Sequence, residues 1–192
     1  MILSEEIDRI KTMMGLNEAR EGLLNYLRER LPKVPEYVIR DFFYKAKDYE
    51  KDQLDKFLKL WSNIDWVLHK DMTITMDMFI PRDREILEKR ISGEIKDYVP
   101  NDELRHQIQK QKMETSGLNE PIILTKYPET DKYNMDEGWH RVIQSFIKNP
   151  EGFNYPNVYV GYWRNTKEEY QKKLEDLFPE WKEINEPLSN TH

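Results

Sequence analysis

The sequence predicts an α+β fold, a small mixed sheet flanked by helices, behind an N-terminal helical extension. Three observations predict it. Apolar residues recur at helical spacing through the first third of the chain, a period-two alternation sets in at Asp65, and short apolar runs alternate with amphipathic ones after Gly117. The boundaries that follow are 1–64 for the helical extension, 65–181 for the mixed domain and 182–192 for a polar tail.

"LSEEIDRIKTMMGL" opens on Ser4 as an N-cap, repeats Ile7, Ile10 and Met14, and stops at Gly15. A second helix is predicted from Asn17 to Leu31, where Pro32 and Pro35 break the chain, and a third from Glu36 to Tyr49. A fourth sets Leu54, Phe57, Leu58 and Trp61 at the i, i+3, i+4, i+7 spacing of a packed face. "DWVLHKDMTITMDMF" then alternates over Met72, Ile74, Met76 and Met78, the pattern of a half-buried strand. Pro81 and Asp83 suit a helix start, and another helix is predicted between Asn101 and Ser116.

The next stretch is the most organised. Gly117 ends a helix, "EPIILTKY" is a strand, "PETD" a turn, "KYNM" a strand and "DEGWHRVIQSFIK" a helix with Val142, Ile143, Phe146 and Ile147 on one apolar face. "NVYVGYW" is a further strand. "TKEEYQKKLEDLF" is a final helix, with Thr166 and Glu169 spaced as a capping box and Tyr170, Leu174 and Leu177 turned inward.

Composition narrows the function classes. The 192 residues are 38% hydrophobic and 34% charged, and 11 Tyr and 5 Trp supply side chains large enough to build a core, so the chain should fold. The net charge is −6, and no window gathers the Lys and Arg that duplex DNA requires, which disfavours strong non-specific DNA binding. With no cysteine, disulfides, thiolate nucleophiles and thiolate zinc sites are excluded. No apolar run reaches the roughly 18 to 20 residues of a membrane span, and the N-terminus lacks the pattern of a signal peptide. The expectation is a cytoplasmic protein without a membrane partner, or one carried in a particle assembled inside a cell.

The candidate site is the run from Glu137 to Arg141 at a strand-to-helix junction. If the helix begins near Glu137, its first-turn N–H groups lack intrahelical partners and favour an anion. Gly138 lets a ligand approach the backbone, Arg141 offers a forked cationic grip, and His140 offers a donor adjustable near neutral pH. A first-turn Asp–Glu pair also stabilises a helix start with no ligand, and Trp139 serves equally as a core anchor.

The run "GLNEPIILTKYPETDKYNMDEGWHRVIQSF" resembles the core of the ParB/sulfiredoxin superfamily. Gly117, Pro121 and Ile122 stand at that family's "G-x-x-x-P-I" strand, and Gly138, His140 and Arg141 at its "G-x-H-R" box; "YPNVYVGYW" is similar to the strand that follows. The resemblance implies a nucleotide or phosphorylated ligand held at Gly138, Trp139, His140 and Arg141, with Glu137 as a catalytic base and ATP or CTP with Mg²⁺ as the cofactor class. Trp139 stands where sulfiredoxins carry cysteine, so sulfinic-acid reduction is not implied. Val142, Ile143 and Gln144 replace the second arginine of the chromosome-partitioning relatives, and their helix-turn-helix domain is not expected. "ILSEEIDRIKTMMGLNE" looks like a leader-like segment of tailed-phage proteins, which implies a viral origin and offers a helix for docking a protein partner.

Two functions follow as expectations: a ParB-like phage protein acting on a phosphate-bearing ligand as a phosphotransferase or nuclease-like hydrolase, or a catalytically inactive interaction or virion-associated protein retaining the fold. Outside the box, Asp71, Asp77 and Asp83 are candidate carboxylates for hydrated Mg²⁺ or simple strand and cap residues, and Tyr155, Tyr159, Tyr162 and Trp163 would stack a base or fill a sheet face. His69, His106 and His192 show no zinc-binding spacing.

Overall fold

A computed structural model describes residues 20–46, 51–94, 104, 107, 108, 110, 111 and 120–179. The chain divides into two compact units, Met1–Ser62 and Asn63–His192.

In the first unit, α1 is described over residues 20–30, α2 spans Glu36–Ala46 and α3 spans Lys51–Trp61. Pro32 and Pro35 end one helix and precede the next. The stripe read from the sequence is buried: Leu54, Phe57, Leu58 and Trp61 join Leu24, Leu27, Val38, Ile39 and Phe42 in the interior. Trp61 stacks on Phe42 at 4.3 Å between ring centroids, and Arg28 closes the α1–α2 turn on Glu36 at 2.7 Å. The helix expected from Ser4 to Gly15 lies outside the described residues, as does the polar tail.

The second unit is α+β. Its elements are β1 (Ile64–Ile74), α4 (Pro81–Ile91), β2 (Ile122–Lys126), β3 (Asn134–Glu137), α5 (Trp139–Lys148), β4 (Phe153–Trp163) and α6 (Lys167–Leu177). The strand order is β1-β4-β2-β3. β4 pairs antiparallel with β1 and parallel with β2, and β2 pairs antiparallel with β3, so the described sheet is mixed.

One face of the sheet carries the core. Ile122 and Leu124 of β2, Val158 and Val160 of β4, and Met135 of β3 meet Leu87 of α4 and Val142, Ile143 and Phe146 of α5. Ile123, Thr125, Tyr159, Gly161 and Trp163 fall on the opposite face by the period of two. There α6 packs Tyr170 against Trp163 and Tyr127, with centroids 4.7 Å and 6.2 Å away.

Several boundaries differ from the sequence reading. β1 begins at Ile64 and ends at Ile74, and Met76–Met78 is a 3₁₀ turn rather than more strand. The Thr75 hydroxyl donates to the Asp77 carboxylate at 2.5 Å, a local bond that competes with the ladder. β4 starts at Phe153, before the expected run, and passes through Pro156. The register steps from Lys70↔Asn157 to Met72↔Tyr155, which places Pro156, lacking an N–H, opposite Asp71 with φ of 52°. Ile147 is 49% exposed rather than packed, and its place in the buried face of α5 is taken by Arg141, Gln144 and Ser145. Tyr170, Leu174 and Leu177 are only half-buried, while Phe178 just beyond α6 is fully buried. The expected helix between Asn101 and Ser116 is described only at residues 104, 107, 108, 110 and 111, all helical.

The two edges of the sheet are treated differently. β3 is sealed: the buried Asp83 carboxylate, from the first turn of α4, accepts the Met135 N–H at 2.7 Å. Tyr133, just before β3, donates its N–H to the Met78 carbonyl at 2.9 Å and accepts from the Ile80 N–H at 3.0 Å. Burial raises the Asp83 carboxyl above its ordinary value, and the Met135 hydrogen bond opposes that shift. Among the described residues, no strand pairs with the outer edge of β1.

Candidate functional site

The box occupies the turn between β3 and α5. Glu137 is not in the first turn of the helix, as the sequence suggested; it is the last residue of β3, paired with Ile123. Asp136 is likewise a strand residue, so α5 has no acidic residue in its first turn. The pairing of Glu137 with Ile123 holds this end of β3 extended, with Asp136 at the register shift just before it, overriding the preference of acidic side chains for a helix start.

Gly138 is the N-cap of α5, with φ 102° and ψ 14°. This left-handed conformation is one that side-chain-bearing residues rarely adopt, and a Cβ here would stand 2.5 Å from Ile122 Cγ2 and 2.9 Å from Ile122 Cβ. Glycine is thus required twice over. Its carbonyl accepts the first helical bond, from the Val142 N–H at 3.0 Å. The N–H groups of Trp139, His140 and Arg141 then open the helix without intrahelical acceptors, at the positive end of its dipole.

The side chains of the box take different directions. Trp139 is half-buried and packs against the core, in keeping with an anchor, and His140 is half-buried beside it. Arg141 turns inward, its side chain only 6% exposed. Nη1 donates to Glu120 Oε2 at 2.8 Å, Nη2 donates to the Pro121 carbonyl at 2.9 Å, and Glu137 Oε1 lies 3.5 Å from Nη2. The carboxylate-bearing side chains are 49% and 45% exposed, so one buried guanidinium is held between two half-exposed carboxylates. The charges of the triad sum to −1.

Chemically the triad is a brace. It ties the start of β2 to the end of β3 and to the first turn of α5, and the Tyr155 hydroxyl extends it by donating to the Glu120 carbonyl at 2.8 Å. The forked cation expected to face a phosphate faces the protein's own carboxylates. A guanidinium so engaged offers an external anion much less than a vacant one, because that anion must compete with two charges already in place.

Glu120 and the Pro121 carbonyl were missed as members of this group. Their signal was indirect: antiparallel pairing of β2 with β3 brings residues just before Ile122 beside residues just after Glu137.

The other candidates separate in space. Tyr155 and Tyr162 pack with the core face of the sheet, whereas Tyr159 and Trp163 lie on the opposite face, so the aromatic run forms no single stacking platform. Asp71 is exposed on β1, Asp77 is exposed in the 3₁₀ turn and Asp83 is buried against β3. Among the described residues, no group of three or more His, Asp or Glu side chains is arranged to hold a metal ion. His69 Nε2 lies 3.1 Å from the Tyr162 hydroxyl, and His106 and His192 fall outside the described residues. No described helix is long and apolar enough to cross a membrane. Compared with protein-family models, curated proteins and solved structures, the chain gives no match.

Proposed function

We propose that this chain is a ParB/sulfiredoxin-like domain acting as a non-catalytic interaction protein, of the virion-associated kind that its phage-like N-terminal segment suggests. One observation carries the proposal: Arg141, the residue that would grip a phosphate, is buried and bound to Glu120, Glu137 and the Pro121 carbonyl. A box in this state joins strands to a helix and presents acidic rather than basic side chains. Calorimetry with ATP, CTP and GTP in Mg²⁺ tests it. No heat is expected with any of the three, and micromolar binding by the wild type that Arg141→Ala abolishes would overturn the proposal.

A second function is supported by Gly138, whose left-handed turn with no space for a side chain brings three helix-opening amides and His140 to one place. On that basis the junction takes a nucleotide or another phosphate-bearing ligand and supports phosphotransferase or hydrolase chemistry by positioning and charge. With Glu137 as base, Glu137→Gln keeps ligand affinity and removes turnover; loss of both together marks Glu137 as a structural partner of Arg141.

A further inference from the structure

We propose that the corner of the sheet at the carboxyl ends of β2 and β4 binds a small aromatic carboxylate, held by Lys126, Tyr133, Tyr162 and His69. This corner is distinct from the β3–α5 junction, which adjoins the opposite end of β2. In open α/β sheets ligands bind outside the carboxyl ends of the strands, and β2 and β4 are the parallel pair of this sheet.

The register assembles the corner. Asp65 of β1 lies opposite Tyr162 of β4, and Tyr162 lies beside Lys126 of β2, so the three share one row on the helix-bearing face. His69 stands on the same face of β1, with Nε2 3.1 Å from the Tyr162 hydroxyl. Val67 stands between Asp65 and His69 on that face and is 45% exposed. The helix layer that covers Ile122, Leu124 and Val158 therefore leaves this corner open.

Charge defines the ligand. Lys126 is half-buried, with Nζ 5.2 Å from the centroid of the Tyr133 ring, and makes no ion pair with a described carboxylate. The carboxylate of its row, Asp65, is held by Arg164, whose Nε donates to it at 2.7 Å. An ammonium set on a ring face and short of a counter-ion attracts an anion. Burial raises the Tyr162 phenol above its ordinary value and the neighbouring Tyr133 adds to the shift, so Tyr162 stays a neutral hydroxyl able to donate. Counting histidine as neutral, the four side chains carry a single positive charge, which one carboxylate neutralises. A phosphate dianion would instead add excess negative charge to a chain already at −6. Two tyrosine rings and the exposed Val67 offer an apolar bed to a flat body, hence an aromatic acid.

Benzoate is the probe, titrated into the full-length chain and followed by amide NMR. Saturable shifts are expected at residues 67–69, 126, 133 and 162, with a dissociation constant on the order of a millimolar for so small a ligand. Lys126→Met keeps the stem, removes the charge and weakens binding about tenfold. Val67→Glu, at an exposed position, sets a carboxylate in the corner and weakens binding without disturbing the rest of the spectrum. Lys148→Met, at an exposed lysine in the last turn of α5, leaves binding unchanged. The proposal is overturned by an absence of saturable shifts at tens of millimolar benzoate, by shifts that appear only at residues 137–141, or by wild-type affinity in Lys126→Met. Inorganic phosphate displacing benzoate with equal affinity overturns it as well.

Discussion

Replacing Gly138 by alanine tests whether the β3–α5 junction is as closely determined as its geometry indicates. Two penalties add. The left-handed backbone at φ 102° costs an L-residue about 1–2 kcal/mol. The new methyl would then meet Ile122 Cγ2 at 2.5 Å and Ile122 Cβ at 2.9 Å. Rotating the Ile122 side chain relieves the first contact and leaves the second, because Cβ is fixed to the backbone of a buried strand; overpacking of this kind costs about 1–3 kcal/mol. Restricting the unfolded chain returns about 0.4–1 kcal/mol. The net loss is about 1–5 kcal/mol, a large part of the roughly 5–15 kcal/mol that holds a domain together. Gly93 supplies the control, since its φ of 78° is also positive while nothing lies within 4 Å of an added Cβ. Gly93→Ala therefore carries the backbone penalty without the contact. Urea denaturation followed by circular dichroism should show Gly138→Ala less stable than Gly93→Ala by about 1–3 kcal/mol, with similar dependence on denaturant. Equal losses in the two variants would refute the steric account of the turn.

Two further substitutions probe the sheet edge and the last helix. Asp83→Asn preserves an acceptor for the Met135 N–H and removes a buried charge, whereas Asp83→Ala strands the donor and should cost about 1–3 kcal/mol. Because burial raises the folded carboxyl above its unfolded value, the native state holds the extra proton. The stabilisation tied to that proton is complete below the unfolded value, near pH 4, and is lost as pH rises through the folded one. Wild-type melting temperatures should carry this downward contribution with rising pH and Asp83→Asn should lack it; identical pH profiles would rule it out. At α6, Thr166 accepts the Glu169 N–H while the Glu169 carboxylate accepts the Thr166 N–H. Thr166→Ala should cost about 1 kcal/mol, read as faster amide exchange in the first turn of that helix.

What could be read from the sequence divides by the range of the interactions involved. The capping box of α6 and the proline start of α4 are local devices, and the structure has both where they were expected. The mixed α+β character followed from the change of period. The strand–helix junction was misplaced by two residues because Asp136 and Glu137 resemble a charged first turn, and only the pairing of Glu137 with Ile123 keeps them extended. Met76 and Met78 continued an alternation that the Thr75–Asp77 hydrogen bond interrupts. At the candidate site, contiguity in sequence brought Glu137 to Arg141 together. The direction of the Arg141 side chain was hidden, because its main partner, Glu120, lies 21 residues away and arrives only when the hairpin closes.

The strand at the centre of the sheet is also the last of the described strands to leave the ribosome. Until Phe153–Trp163 has been synthesised, β1 waits without the neighbour that its register requires, and the β2–β3 hairpin is a two-stranded ribbon of the sort that is marginal alone. Joining Ile64 to Trp163 closes a very long loop, so the nascent domain matures late and through distant contacts, the circumstance that slows folding. A premature stop ahead of residue 153 would therefore yield no smaller working version of the domain, only helices and unjoined strands exposed to the quality-control machinery.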